Sequence, residues 1–195
     1  MNKQDVFYLK EAGVQDVSTI RQIAAKAFPA TYASILSTEQ LEWMFDWMYS
    51  EQALTTDISN NTQRFYLAFW MKKPCGYISI STPSKELHTS SKNVHASASD
   101  LDIIQSAELP IYKLNKIYLS PDFQGKGLGR RLWEEAVAIV RGMSKEPCRM
   151  ILQVNRHNLA RNFYEHLGMT CIAEEDFVLE HGYEMNDYVM AIDVK

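Results

Sequence analysis

The stretch QGKGLGRRL (124–132) places glycine at positions 125, 127 and 129 and then two arginines. Before it runs IYKLNKIYLS (111–120), a strand by its aromatic and β-branched residues, closed by Pro121. After it, Leu128, Leu132, Ala136, Ile139, Val140 and Met143 recur at helical spacing, which predicts a helix over about 127–142. The glycines therefore sit between a strand end and a helix start. A helix N-terminus offers unpaired N–H groups and the positive end of its dipole, a ready site for phosphate. Without Cβ atoms at Gly127 and Gly129 an anion can reach the backbone, and Lys126, Arg130 and Arg131 add positive charge.

Three other readings compete for this turn. A P-loop needs Ser or Thr after Gly-Lys, and here Gly127 follows Lys126. A dinucleotide fold needs GxGxxG in its first strand–turn–helix unit, and this spacing is different and late in the chain. A purely structural glycine turn is the bland reading, and the strand end before the glycines and the helix start within them decide against it. The stretch reads as a pyrophosphate cradle.

Outward from the cradle, the chain alternates helical and strand patterns. VFYLK (6–10) is strand-like, and residues 14–28 carry Val17, Ile20, Ile23, Ala24 and Ala27 at helical spacing, with Pro29 expected to end that helix. Ser37 and Gln40 resemble a capping box opening a helix over about 38–49, with one or two further turns in 50–60. RFYLAFWM (64–71) and CGYISIS (75–81) read as a hairpin joined through KKP. Residues 83–107 form a long polar, Ser-rich insertion. CRMILQVN (148–155), LARNFYEHLG (159–168), MTCIAEEDFVL and YEMNDYVMAIDV then read as strand, helix, strand and strand. The order predicts a mixed α/β (α+β) layer fold of about 6–7 strands flanked by helices, in one domain spanning residues 1–195.

Bulk properties narrow the partners. A net charge of −4 disfavours nucleic acid, which needs a basic face. No apolar run approaches the roughly 20 residues that span a bilayer, and MNKQDVFYLKEAG lacks a signal-peptide core. Cys75, Cys148 and Cys171 are odd in number and follow no metal spacing, so they read as reduced thiols of a cytoplasmic protein. The five histidines, His88, His95, His157, His166 and His181, show no metal pattern, and no metal is expected.

A second motif lies about thirty residues beyond the cradle. VNRHNLARNFYEHLGM carries Asn155 at a strand end, Asn158 and Ala160 at a helix start, Phe163-Tyr164, and Leu167-Gly168-Met169. Together with Gln124-x-x-Gly127-x-Gly129 after a strand, it resembles the GNAT superfamily of N-acetyltransferases, over roughly residues 6–192. The resemblance implies acetyl-CoA bound where strands 111–120 and 148–155 splay apart. It implies that Ile117, Tyr118 and Leu119 bond the pantetheine and acetyl groups. The amides of Gln124, Gly125, Lys126, Gly127, Leu128, Gly129 and Arg130 would hold the pyrophosphate, with Asn155, Asn158 and Phe163 beside the cofactor.

The chemistry so implied is attack of an amine on a thioester, whose tetrahedral intermediate needs donors and whose thiolate needs a proton. Tyr164 matches the family's general acid. A phenol with a pKa of about 10 can protonate a developing thiolate within reach. Many relatives carry a glutamate in the strand before the cradle, where this chain has Asn115, so no base is named. Glu108 and the acids of the last strands are candidate ends of a water chain.

For the acceptor, Phe28, Thr31 and Tyr32 fall where relatives line the amine site. Two segments lack Lys and Arg entirely. Ala27–Gln63 holds Glu39, Glu42, Asp46, Glu51 and Asp57, and Cys171–Asp193 holds Glu174, Glu175, Asp176, Glu180, Glu184, Asp187 and Asp193. Acidic surroundings suit a polycation, and solvated faces are the alternative. Trp43 and Trp47 are left between core, a pocket wall and a contact in a homodimer. TYASILSTEQLEWMFDWMYS and the closing Y-x-M-N-D-Y-V-M are similar to the diamine/polyamine N-acetyltransferase group. The alternatives are acetylation of a protein N-terminus or lysine, and a non-catalytic acyl-CoA-binding module.

Overall fold

The computed structural model describes residues 6–61, 63–81, 109–195 and the backbone of 94–95. The chain gathers into two compact units, Met1–Thr82 with Leu114–Ile139 and Pro83–Lys113 with Val140–Lys195.

The first unit opens with β1 (Phe7–Glu11) and a 3-10 turn (Val14–Asp16) leading into α1 (Val17–Tyr32). Pro29 lies inside α1 and does not end it. Proline removes one helical donor, and the bonds of the following turn close regardless: Ala33 N donates to Pro29 O, and Thr31 Oγ1 donates to Ala27 O at 2.8 Å. Two helices follow, α2 (Thr38–Tyr49) and α3 (Glu51–Ser59). Ser37 Oγ accepts from Gln40 N at 3.2 Å, the N-cap expected from the sequence.

Strands β2 (Gln63–Trp70) and β3 (Lys73–Ser81) pair antiparallel. Their turn is Met71-Lys72, both with positive φ, and not Lys72–Pro74 as expected. A two-residue turn of this kind matches strand twist, so Lys73 and Pro74 join the ladder. The sheet of this unit runs β1-β2-β3 and then the Leu114–Leu119 part of β5 (Ile111–Leu119). Consecutive residues of β2 and β3 are buried, Phe65 to Ala68 and Cys75 to Ile80, so both faces are covered. Ile20, Phe28, Leu54 and Leu132 complete the core. Leu132 belongs to α4 (Leu128–Met143).

The second unit holds β6 (Cys148–Asn155), α5 (Ala160–His166), β7 (Thr170–Val178) and β8 (Glu184–Val194). Ile111–Lys113 of β5 pairs parallel with Arg149–Ile151 of β6, β6 pairs antiparallel with β8, and β8 with β7. The parallel register ends at Lys113↔Ile151 although both strands run on. A two-residue strand, β4 (Val94–His95), pairs with β7 inside the stretch expected to be loop. The rest of 83–107, with Glu108, lies outside the described residues. Strands paired antiparallel except at β5/β6, with helices between them, make the fold α+β, as the sequence order predicts.

Candidate active site

The cradle belongs to the first unit. After β5, Pro121–Phe123 forms a 3-10 turn, and Gln124 N donates back to Pro121 O at 3.1 Å. The Gln124 amide is therefore occupied, and the turn opens at Gly125. Gly125 and Gly127 both have φ of +74°, the left-handed region that only glycine adopts without strain. Gly129 lies within α4, so the second conformational requirement falls on Gly125. A Cβ built at Gly125 or Gly127 meets no atom within 4 Å, so the space above the turn is open. Arg131 N donates to Gly127 O at 3.4 Å, which leaves the amides of Leu128, Gly129 and Arg130 ahead of the helical ladder. Open space, left-handed glycines and unladdered amides are the features a phosphate needs.

The charged side chains around the turn are partly committed. Lys126 Nζ donates to Asp122 O at 2.7 Å and lies 5.6 Å over the Trp70 ring. Lys26 Nζ donates to the Asp122 carboxylate at 2.9 Å, and this hydrogen-bonded ion pair holds that carboxyl below the usual range. Arg131 sits 5.0 Å over Phe7.

Ile117, Tyr118 and Leu119 lie opposite Ile78, Tyr77 and Gly76 on β3. Gly76 is held close: a Cβ there would stand 2.5 Å from Tyr118 O. Tyr118 heads a cluster that sequence reading missed. Its ring stacks on Tyr77 at 5.5 Å and meets Tyr49 edge-on at 6.5 Å, and Phe28 packs on Tyr49 and Tyr32. Burial pushes the phenols of Tyr49, Tyr77 and Tyr118 well up, so they stay neutral. Of the expected acceptor residues, Phe28 is a core ring, the Thr31 hydroxyl bonds its own helix, and Tyr32 borders the cluster. Asn115, in the place of the family glutamate, donates to Ser81 Oγ at 2.6 Å.

Two hollows flank α2 in the same unit. One, of about 270 Å³, has Ala25, Pro29, Leu41 and Phe45 as apolar walls and Glu42 and Asp46 as carboxylates. The other, of about 570 Å³, lies between Trp47, Asp57 and Lys116. Met44 is core, but Leu41, Phe45 and Met48 are only half-buried, and Trp47 is 54% exposed, stacked on Trp43 at 5.4 Å. The apolar stripe of α2 is thus wall as much as core.

The second unit holds the other motif. Asn155, at the end of β6, is buried, and its Oδ1 accepts from His157 N at 3.0 Å. Asn158 Oδ1 accepts from Ala160 N at 2.9 Å and opens α5. Tyr164 is 8% exposed on α5, with Phe163 edge-on at 5.6 Å and itself 37% exposed. Leu167 N and Met169 N both donate to Tyr164 O, and Gly168 turns the chain at φ +90°.

The acids of the closing strands do not form a free anionic surface. Arg156 pairs with Glu174 at 3.3 Å and Asp176 at 2.8 Å, and Arg149 with Asp193 at 2.8 Å. Glu175 and Asp187 are 1% and 3% exposed. Desolvation raises both, Asp187 to about 6, while Lys113 favours their charged forms. Desolvation likewise favours the neutral thiols: it lifts Cys75 to about 11 and raises Cys148 and Cys171. Among the described residues no helix is long and apolar enough to cross a membrane.

The model of the acetyltransferase (GNAT) family matches residues 18–169. A spermidine N(1)-acetyltransferase of Thermoplasma acidophilum is 26% identical over 90% of this chain and 97% of its own. The fold is shared with the crystal structure of the PaiA N-acetyltransferase of Thermoplasma acidophilum in complex with coenzyme A, at a TM-score of 0.64 and 20% identity over 95% of this chain and 98% of that one. It is shared equally with Arabidopsis thaliana NAA60 in complex with acetyl-CoA, at a TM-score of 0.66 and 16% identity over 97% and 99% of the two chains.

Proposed function

The chain belongs to the GNAT acetyltransferase family, and on that premise we propose that it moves the acetyl group of acetyl-CoA to a primary amine on a small polycation of polyamine type. One observation carries the cofactor half. The two left-handed glycines lie at the family's cradle motif, and open space stands before the amides of α4. Those amides would hold the pyrophosphate through aligned dipoles and neutralise its charge without a metal. Asn155, Asn158 and Phe163 would lie along the pantetheine. Acetyl-CoA, when bound, supplies an activated carbonyl and a good leaving group.

Tyr164 is the general acid in this reading. Its phenol protonates the sulfur as the C–S bond breaks, so that a thiol departs rather than a thiolate. Residues 1–195 are taken as one catalytic domain. The relative named for spermidine supports the polyamine acceptor, and so do the two carboxylates on the apolar hollow beside α2. An aliphatic polyamine has matching chemistry, methylene runs for Leu41 and Phe45 and ammonium groups for Glu42 and Asp46. The second reading is acetylation of a protein N-terminus or lysine by the same fold.

Thiol release from acetyl-CoA, measured with spermidine, short diamines and N-terminal peptides, separates the two. Release with spermidine is expected; release with peptides alone would replace the acceptor, and release with none would end the proposal. Tyr164→Phe is expected to lower kcat by about 100-fold with acetyl-CoA affinity unchanged. Unaltered turnover at saturating substrate would remove Tyr164 from the mechanism.

A further inference from the structure

The sequence places Lys126, Arg130 and Arg131 around the cradle as charge for a phosphate. Two of the three are turned onto the sheet instead. Phe7 of β1 and Trp70 of β2 are cross-strand partners, so their rings stand side by side on one face. Arg131 lies 5.0 Å over the Phe7 ring, and Lys126 Nζ lies 5.6 Å over the Trp70 ring. Phe123 completes the second contact. It meets Trp70 edge-on at 6.0 Å, and Lys126 Nζ is 5.7 Å from its centre. Lys126 Nζ also donates to Asp122 O at 2.7 Å, four residues back. Arg130 makes no ion pair among the described residues.

This arrangement meets a need of the turn. Gly125 and Gly127 both sit at φ +74°, and glycine gives up more backbone freedom on ordering than any other residue. No atom lies within 4 Å of a Cβ built at either, so packing at these two positions does not hold the turn. Lys126 stands between them, and its side chain does reach fixed partners. Trp70 is the last residue of β2, in register with Phe7 on one side and Lys73 on the other. Arg131 brings the first turn of α4 onto the same aromatic pair. On the strand side, Lys26 of α1 donates to Asp122 at 2.9 Å, and Ser120 N donates to Cys75 O of β3 at 2.8 Å. The turn is therefore held from both ends, and every one of these residues belongs to the first unit. Amides fixed before a ligand arrives bind it without the cost of ordering them.

We propose that Lys126 and Arg131 are positioning residues of the cofactor cradle, which dock it on the Phe7–Trp70 pair and hold its amides in place rather than binding phosphate themselves. The inference rests on the reading of this turn as the CoA cradle. Cation–ring contacts suit the task. A ring face attracts a cation without neutralising it, so both side chains still add to the positive field around the turn. A carboxylate in place of each ring would hold the turn as well, but would cancel that field.

The test is a double-mutant cycle on CoA affinity, measured by calorimetry on the full chain, with Lys126→Met, Trp70→Leu and the two combined. Each single change should weaken CoA binding by about fivefold, the scale of one exposed cation–ring contact. The combination should also weaken it by about fivefold and not by about 25-fold, because both changes break the same contact. Arg131→Met and Phe7→Leu form a second cycle with the same expectation. Lys126→Arg keeps a cation over the rings and should bind CoA within about twofold of the native chain, a recovery that should vanish in the Trp70→Leu background. Losses that multiply in either cycle, or a Trp70→Leu chain that binds CoA as the native one does, overturn the proposal and make the cations phosphate ligands. Should Trp70→Leu fail to fold, Phe123→Leu takes its place in the cycle. A native chain that binds no CoA ends the cradle reading itself, a failure distinct from losses that multiply.

Discussion

Two acidic runs that look alike in sequence turn out to be different electrostatic objects. Ala27–Gln63 and Cys171–Asp193 are both free of Lys and Arg. In the first, Glu39, Glu42 and Asp46 are exposed on α2, and among the described residues no Lys or Arg pairs with Glu42 or Asp46. In the second, strand pairing brings Arg149 and Arg156 against Asp193, Glu174 and Asp176, and buries Glu175 and Asp187 beside Lys113. A helix carries its own charges to solvent. A strand meets whatever its neighbours supply across a spacing of roughly 5 Å. The lesson is that a run without bases in sequence is anionic in space only where no pairing strand answers it.

The sharpest way to break this contrast is Lys113→Met. It removes the one lysine amine facing two buried carboxylates and should destabilise the chain by about 3–5 kcal/mol at pH 8. The loss should shrink toward pH 5, where the carboxyls take up protons. Thermal melts at both pH values check it, and a pH-independent loss would mean that only packing changed.

Asp187→Asn tests the same region with opposite sign. Its folded pKa, about 6, lies above the ordinary 3.8, so its contribution to stability is complete below pH 4 and fades as pH rises through 6. At pH 8 the ionised group therefore costs up to about 3 kcal/mol, and the neutral isostere should melt several degrees higher there and gain little at pH 4. Equal melting shifts at both pH values would show that Asp187 is not held protonation-sensitive by its surroundings.

The smallest stability effect is expected on the open side. Glu42→Gln with Asp46→Asn should leave stability within about 0.5 kcal/mol, since neither group is buried or paired with a base. The same double change should raise KM for spermidine several-fold, with an effect that fades at high salt. An unchanged KM would return these acids to the status of solvated surface.

Much of the fold was legible in the chain. Strand period, the Ser37 cap and the glycine turn act within a few residues, so β5, β6, α2 and α4 fell close to their expected bounds. Pro29 and the Met71-Lys72 turn were misread because the outcome depended on what packs or pairs nearby, not on the residue alone. The site divides in the same way. The left-handed turn at Gly125 and Gly127 and the helix start after it were readable from motif and spacing, whereas the Gln124 amide closes back on Pro121. The Tyr49–Tyr77–Tyr118 cluster gave no signal, because its three members come from α2, β3 and β5 and carry no periodic mark that separates them from other core rings. Glu175 and Asp187 were visible only as members of an acidic run, and their meeting with Lys113 and Gln153 was hidden for the same reason.

The sequence by itself determined the α+β order of elements and the strand–glycine–helix cradle. Both follow from hydrophobic period and from the left-handed backbone that Gly125 and Gly127 permit, which are local properties. Only the tertiary structure decided which acids stay exposed to water and which are buried with raised pKa values. Register between β5, β6, β7 and β8 sets which charges meet, and burial sets how tightly each holds its proton.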